Sequence, residues 1–236
     1  MGQIDAPESP MNVFVLCTGR CGSHTFARAC SHITNFTSSH ESRKRALGAE
    51  RVAFPAQHIE IDNRLSWFLG RLERRFGNSA RYVHLLRDPE EVALSYNQRW
   101  LNPNGLISAY RRGILTFSSE LEPIAVSRDL VSTINENIEA FLSSKKYKMT
   151  FRLENGQQDW SKFWDWIGAE GSLAASLEEW AIRYKATTET RPTLSRFVNR
   201  LTTLAQTVWY MIPVAATSLD QCQGWGSVWD PISMLS

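Results

Sequence analysis

"VFVLCTGRCGSHTFARAC", residues 13–30, decides how the chain folds. Residues 12–17 read as the first strand, whose Val13 to Cys17 are a continuous apolar, β-prone run of the kind buried on both faces of a parallel sheet. The run stops at Thr18-Gly19-Arg20-Cys21-Gly22-Ser23, and His24 to Cys30 then suit a helix. A strand that empties through two glycines, a cation and hydroxyls into a helix is a strand-loop-helix unit, and its loop lies at the carboxyl edge of the sheet.

The same theme returns in "ARYVHLLRDPEEVALSYNQRW", residues 80–100. Tyr82 to Leu86 form a second buried strand, and Asp88-Pro89-Glu90-Glu91 supply an N-cap, a proline at N1 and acids in the first turn. Between the two units, residues 31–57 read as irregular, polar and basic. Asp62 caps a helix whose Leu65, Phe68, Leu69, Leu72 and Phe76 repeat at helical spacing until Gly77. Residues 102–120 read as loop and short helix, 127–143 as a longer helix and 148–154 as a third strand. Helices over 159–171 and 172–186 follow. Alternating strands and helices predict an α/β fold with a mostly parallel central sheet flanked by helices on both faces.

The 236 residues, 43% hydrophobic and 21% charged, suffice for one large α/β domain. Residues 1–11 read as a tail, 12–186 as that domain and 187–236 as a helical or irregular extension without an assigned role. A net charge of +2 gives no reason to expect nucleic acid as a partner. Cys17, Cys21, Cys30 and Cys222 show neither CxxC spacing nor paired His-Cys spacing, so no metal site, no disulfide framework and a reducing, cytoplasmic location are expected. "MGQIDAPESP" lacks the basic start and apolar stretch of a signal peptide. "LTTLAQTVWYMIPVAATSL", 201–219, carries four Thr, Gln206 and Pro213, which argue against a membrane span. It reads as a helix broken at the proline, with membrane-surface contact as the lesser reading.

In the opening loop, Gly19 and Gly22 allow backbone N–H groups close to a ligand, Ser23 and Thr25 add hydroxyls at a helix N-terminus, and Arg20 adds a fork-shaped cation. Each component suits a phosphate or sulfate. The pattern is not GxxxxGK[ST]: the sixth residue from Gly19 is His24, and no lysine follows. It resembles the loop of the PAPS-dependent sulfotransferases, in which Lys or Arg, any residue, Gly and Ser/Thr grip the 5′-phosphosulfate of 3′-phosphoadenosine 5′-phosphosulfate (PAPS). Arg20, Cys21, Gly22 and Ser23 occupy those places; His24 departs from the usual hydroxyl residue, with Thr25 or the His24 imidazole itself as the substitute. The family's second hallmark, an Arg-Asp-Pro strand end followed by a Ser, is matched by Arg87 and Ser95, which the resemblance assigns to the 3′-phosphate. A third echo is "MTFRLENG" followed by "FWDWIGAEG". The resemblance implies a P-loop-like sulfotransferase architecture and PAPS as co-substrate, leaving as PAP (3′-phosphoadenosine 5′-phosphate). No metal is implied, and Arg20 becomes the stabiliser of developing charge.

An acceptor hydroxyl, on a small molecule or a carbohydrate, requires a base. "SSHESRKR" offers Glu41 and then His40, and "QHIEIDNRL" offers Glu60 as a third candidate, with Asp62 committed to capping. The basic stretch near 43–51 suits an acidic or sulfated acceptor, or is a solvated loop. Two other readings stay open: a nucleotide-phosphate transferase with a degenerate phosphate loop, and a non-catalytic module that binds PAP or another anion on the same fold.

Overall fold

A computed structural model of the chain describes residues 11–116 and 121–182. Contacts divide the chain into units Met1–Glu189 and Thr190–Ser236, and every described residue falls in the first. Most of the predicted tail and the whole of 187–236, including 201–219 and Cys222, lie outside the described residues.

Five parallel strands form one sheet in the order β2-β3-β1-β4-β5. They are β1 Val13–Cys17, β2 Thr37–His40, β3 His58–Ile61, β4 Arg81–Leu86 and β5 Lys148–Arg152. The connecting helices are α1 Ser23–Cys30, α2 Leu69–Arg75, α3 Pro89–Asn97, α4 Leu106–Ala109, α5 Pro123–Ser143, α6 Gly156–Ile167 and α7 Leu173–Glu178.

β1 is central and wholly buried because both of its faces are covered. Phe14 and Leu16 join Leu72, Val92, Tyr96, Leu130 and Ile134 in the core beneath α2, α3 and α5. Val13, Val15 and Cys17 join Phe26, Phe151, Trp160 and Phe163 beneath α1 and α6. Each fully buried large apolar side chain contributes about 1.5–3 kcal/mol, which explains why β1 has no polar residue to betray a solvent face. The chain fills one side of β1 with β2 and β3, then crosses to the other with β4 and β5. The tip of β1 is therefore a topological switch point, the crevice where open parallel sheets bind ligands.

Three expectations change. The stretch 31–57, read as irregular, contains β2, a 3₁₀ turn at Gly48–Val52 and the approach to β3. β2 reads Thr-Ser-Ser-His; at the sheet edge it needs no apolar run, so hydrophobic patterning could not reveal it. The single helix from Asp62 to Gly77 is instead a 3₁₀ turn, Asn63–Trp67, and then α2. The break falls at Phe68, whose φ of −125° is not helical. Strand β5 stops at Arg152, and Leu153–Asn155 make a further 3₁₀ turn. Among the described residues, no helix is long and apolar enough to cross a membrane.

Candidate functional site

All five strands end on the same edge of the sheet, and the segments leaving them build the site. The loop after β1 turns through two successive left-handed residues, Gly19 (φ 77°) and Arg20 (φ 62°), and Gly22 (φ 88°) caps α1. A Cβ on Gly19 would lie 2.7 Å from Asn63 Nδ2 and from the Tyr96 hydroxyl, and one on Gly22 would lie 2.5 Å from Leu153 Cδ1. Only glycine fits either place. No side chain caps α1, and its first turn holds no acid, so its leading amides and positive dipole end remain available to an anion.

Arg20 is the non-glycine residue held in this strained turn, at a cost of about 1–2 kcal/mol. Two bonds fix it there. Its Nε donates to Ser95 Oγ at 3.1 Å, and its backbone oxygen accepts from Arg87 Nη1 at 3.2 Å. Its two terminal nitrogens donate to no described residue. The two predicted anion sites, 75 residues apart in sequence at Arg20 and Ser95, are thus one cluster. Arg87 also pairs with Glu91 at 3.0 Å.

The other loop residues divide by where they point. Ser23 Oγ is 3.2 Å from His40 Nε2, and the His40 and His24 rings sit 4.5 Å apart, so the tip of β2 closes one side of the loop. Cys21 is fully buried, its thiol hydrogen-bonded to Cys17; it can offer a ligand its backbone amide but not its side chain. That thiol–thiol bond, together with burial, pushes Cys17 up from the ordinary thiol range. Thr25 is also buried, on the inner side of α1.

The three base candidates meet different fates. Glu41, at the tip of β2, has a left-handed φ of 53°. Its Oε2 is held by Arg64 at 2.6 Å and Lys44 at 3.6 Å, which leaves Oε1 without a described partner. His40 is engaged with Ser23 and His24. Glu60 is fully buried, in register with Phe14 in mid-sheet, and its carboxylate accepts from Ser42 N and Oγ and pairs with His58 Nε2. The structure does not bring Glu60 to the loop. Asp62 accepts from Arg64 N, as a cap should, and also pairs with the buried Arg51 at 2.7 Å. Burial pushes its carboxyl up, against the pull of Arg51. In the basic stretch 43–51, Arg43 pairs with Glu50 and Lys44 with Glu41 at the surface, Arg45 is exposed, and Arg51 alone is buried, on Asp62.

One residue at the site was not anticipated. Arg99 folds back from the turn after α3 and donates through Nη1 to Ser95 O at 3.0 Å and Ser95 Oγ at 3.1 Å. Its spacing of four from Ser95 is the signal that could have found it. Among the described residues, no group of His, Cys, Asp or Glu is arranged to hold a metal ion.

Fold and site together define a parallel α/β protein with a cluster of guanidinium groups and hydroxyls beside a helix N-terminus at its switch point. No family model and no curated protein matches the chain. Among solved structures it is similar to the crystal structure of mouse sulfotransferase SULT7A1 complexed with PAP, at 13% identity and a TM-score of 0.46. The match covers 75% of this chain and 64% of that one, just under two thirds of the mouse protein's length.

Proposed function

We propose that the chain is a PAPS-dependent sulfotransferase that moves a sulfuryl group to the hydroxyl of a small-molecule or carbohydrate acceptor. The observation that carries this reading is the 3.1 Å bond from Arg20 Nε to Ser95 Oγ, beside the 3.2 Å bond from Arg87 to the Arg20 carbonyl. A loop suited to a 5′-phosphosulfate and an Arg/Ser pair suited to a 3′-phosphate then face one nucleotide. The amides of Cys21 to Thr25, the hydroxyl of Ser23 and the imidazole of His24 surround the sulfuryl end. Arg87 and Ser95 take the 3′-phosphate.

Transfer is an in-line displacement. The acceptor oxygen forms the new O–S bond as the bond from sulfur to the 5′-phosphate oxygen breaks, and that oxygen leaves with the electron pair as part of PAP. Arg20 and the loop amides stabilise the developing charge, a role in which one donor contributes about 3–4 kcal/mol. The acceptor proton passes to Glu41 Oε1, while Arg64 and Lys44 hold the other oxygen and fix the carboxylate's orientation. Arg20 and Glu41 are two of the four non-glycine residues with positive φ among those described, and strain of this kind collects where geometry serves a reaction. His40 then positions Ser23. Residues 12–186 carry the activity in this reading, which includes a cytoplasmic location and no nucleic-acid partner.

Radiolabelled PAPS offered with a panel of sugar, phenol, lipid and peptide acceptors tests the activity: label in one class of acceptor supports it, and label in none contradicts it. Stronger thermal stabilisation by ADP than by PAP would instead favour a nucleotide-phosphate transferase.

A further inference from the structure

Glu60 takes no part in the transfer step and is wholly buried in β3. Its carboxylate accepts from Ser42 N at 2.8 Å and Ser42 Oγ at 2.7 Å, and pairs with His58 Nε2 at 3.1 Å. His58 is buried as well; its Nδ1 lies 2.8 Å from Thr37 Oγ1 and its ring stacks on Phe54. Burying a charge is costly even when it is paired, and a well-packed apolar residue often serves stability as well or better. The neighbours in β3, Ile59 and Ile61, are apolar. A carboxylate between them does more than fill the sheet.

What it holds is the residue after Glu41. Glu41 N extends the β2–β3 ladder by donating to Ile61 O at 3.0 Å. The chain then reverses at Glu41 through a left-handed φ of 53°, a strained conformation for a residue with a Cβ. Ser42 follows at once, and Glu60 grips both its N–H and its hydroxyl. The Ser42 amide belongs to the peptide plane leaving Glu41, so the clamp fixes the backbone of that turn. Arg64 and Lys44 fix the Glu41 side chain through Oε2. We propose that Glu60 is a positioning residue: by clamping Ser42 it holds Glu41 in its left-handed turn and aims Oε1 at the acceptor. This rests on the sulfotransferase reading with Glu41 as base; the clamp itself rests on the bonds to Glu60.

Single-turnover rates with radiolabelled PAPS, for Glu60→Gln, Glu41→Gln and the double variant of the full chain, test it. Glutamine keeps the shape but removes the charge and turns one acceptor oxygen into a donor. Glu60→Gln slows transfer about tenfold, the scale of a hydrogen bond to a charged group, while PAP affinity in calorimetric titration moves less than twofold. In the Glu41→Gln background the same change costs less than twofold, because no base remains to be aimed. Should Glu60→Gln melt early, Ser42→Ala makes the same comparison: it removes the hydroxyl bond alone and slows transfer about threefold, only where Glu41 is present. Equal losses in both backgrounds, no loss at all, or a matching fall in PAP affinity overturn the positioning role and leave the sulfotransferase reading standing. A folded wild type that transfers no label to any acceptor overturns both.

Discussion

The strand tips of β1 and β4 both lead into helices, yet they treat the helix N-terminus in opposite ways. At β1 the chain leaves α1 uncapped, with glycine at the cap and no acid in the first turn. At β4 the chain fills the end of α3 with its own negative charge: Asp88 accepts from Glu91 N at 3.0 Å, Pro89 sits at N1, and Glu90 and Glu91 follow. The first helix end is open to an outside anion and the second is closed to it. An anion at the first tip can be held by backbone amides, whereas one at the second must be held by side chains. Arg87, Ser95 and Arg99 stand there.

Removing Arg20 should have the largest effect, because it is the cation that joins the two tips. Arg20→Ala lowers sulfuryl transfer about 10²–10³-fold, as loss of one oxyanion donor does, while circular dichroism stays unchanged; transfer at the wild-type rate would break the contrast. Next comes Gly22→Ala. The left-handed φ alone costs about 1–2 kcal/mol, and the added carbon meets Leu153. Both the melting temperature and PAP affinity fall together, since the open helix end itself is disturbed.

The closed end should behave differently. Asp88→Ala removes a cap at a cost of about 1 kcal/mol in chemical denaturation, with PAP affinity unchanged. An equal loss of stability and affinity would mean that the end of α3 is also a ligand site. Glu91→Gln releases Arg87 from an exposed pair of about 0.2–1 kcal/mol. PAP therefore binds more tightly, by up to about fivefold, in the same titration.

The smallest effect concerns the strands themselves. β1 is entirely apolar, but β4 carries His84, in register with Leu16, buried and bonded through Nε2 to Asn135 Oδ1 at 3.2 Å. Burial holds its pKa below the ordinary value. The folded state thus keeps His84 neutral after the unfolded chain has begun to take up a proton. Stability falls as pH drops through about 6.5, the unfolded value. Thermal melts of the wild type show that decline between pH 7.5 and 5.5, and His84→Gln flattens it.

How legible each part was follows from how local its physics is. Asp88 and Pro89 announce α3 because a cap is made by neighbours in sequence. Val13 to Cys17 announce β1 because burial on both faces leaves only apolar residues. Thr37 to His40 announce nothing, since an edge strand with polar side chains resembles a loop until it pairs with β3. Glu60 drew attention as a carboxylate, but only the fold shows Ser42 and His58 consuming it. Arg99 was passed over for the converse reason: its spacing of four from Ser95 is a weak signal, since an arginine after a helix is ordinary until it turns back onto Ser95.

The contrast rests on one ligand bridging an open helix end and a cluster of side chains. A crystal soaked in PAP measures this most directly. The arrangement predicts density for a single nucleotide, with its 5′-phosphate on the amides leading into α1 and its 3′-phosphate among Arg87, Ser95 and Arg99. Density that is absent from this edge, or whose 3′-phosphate lies away from these three side chains, would contradict it.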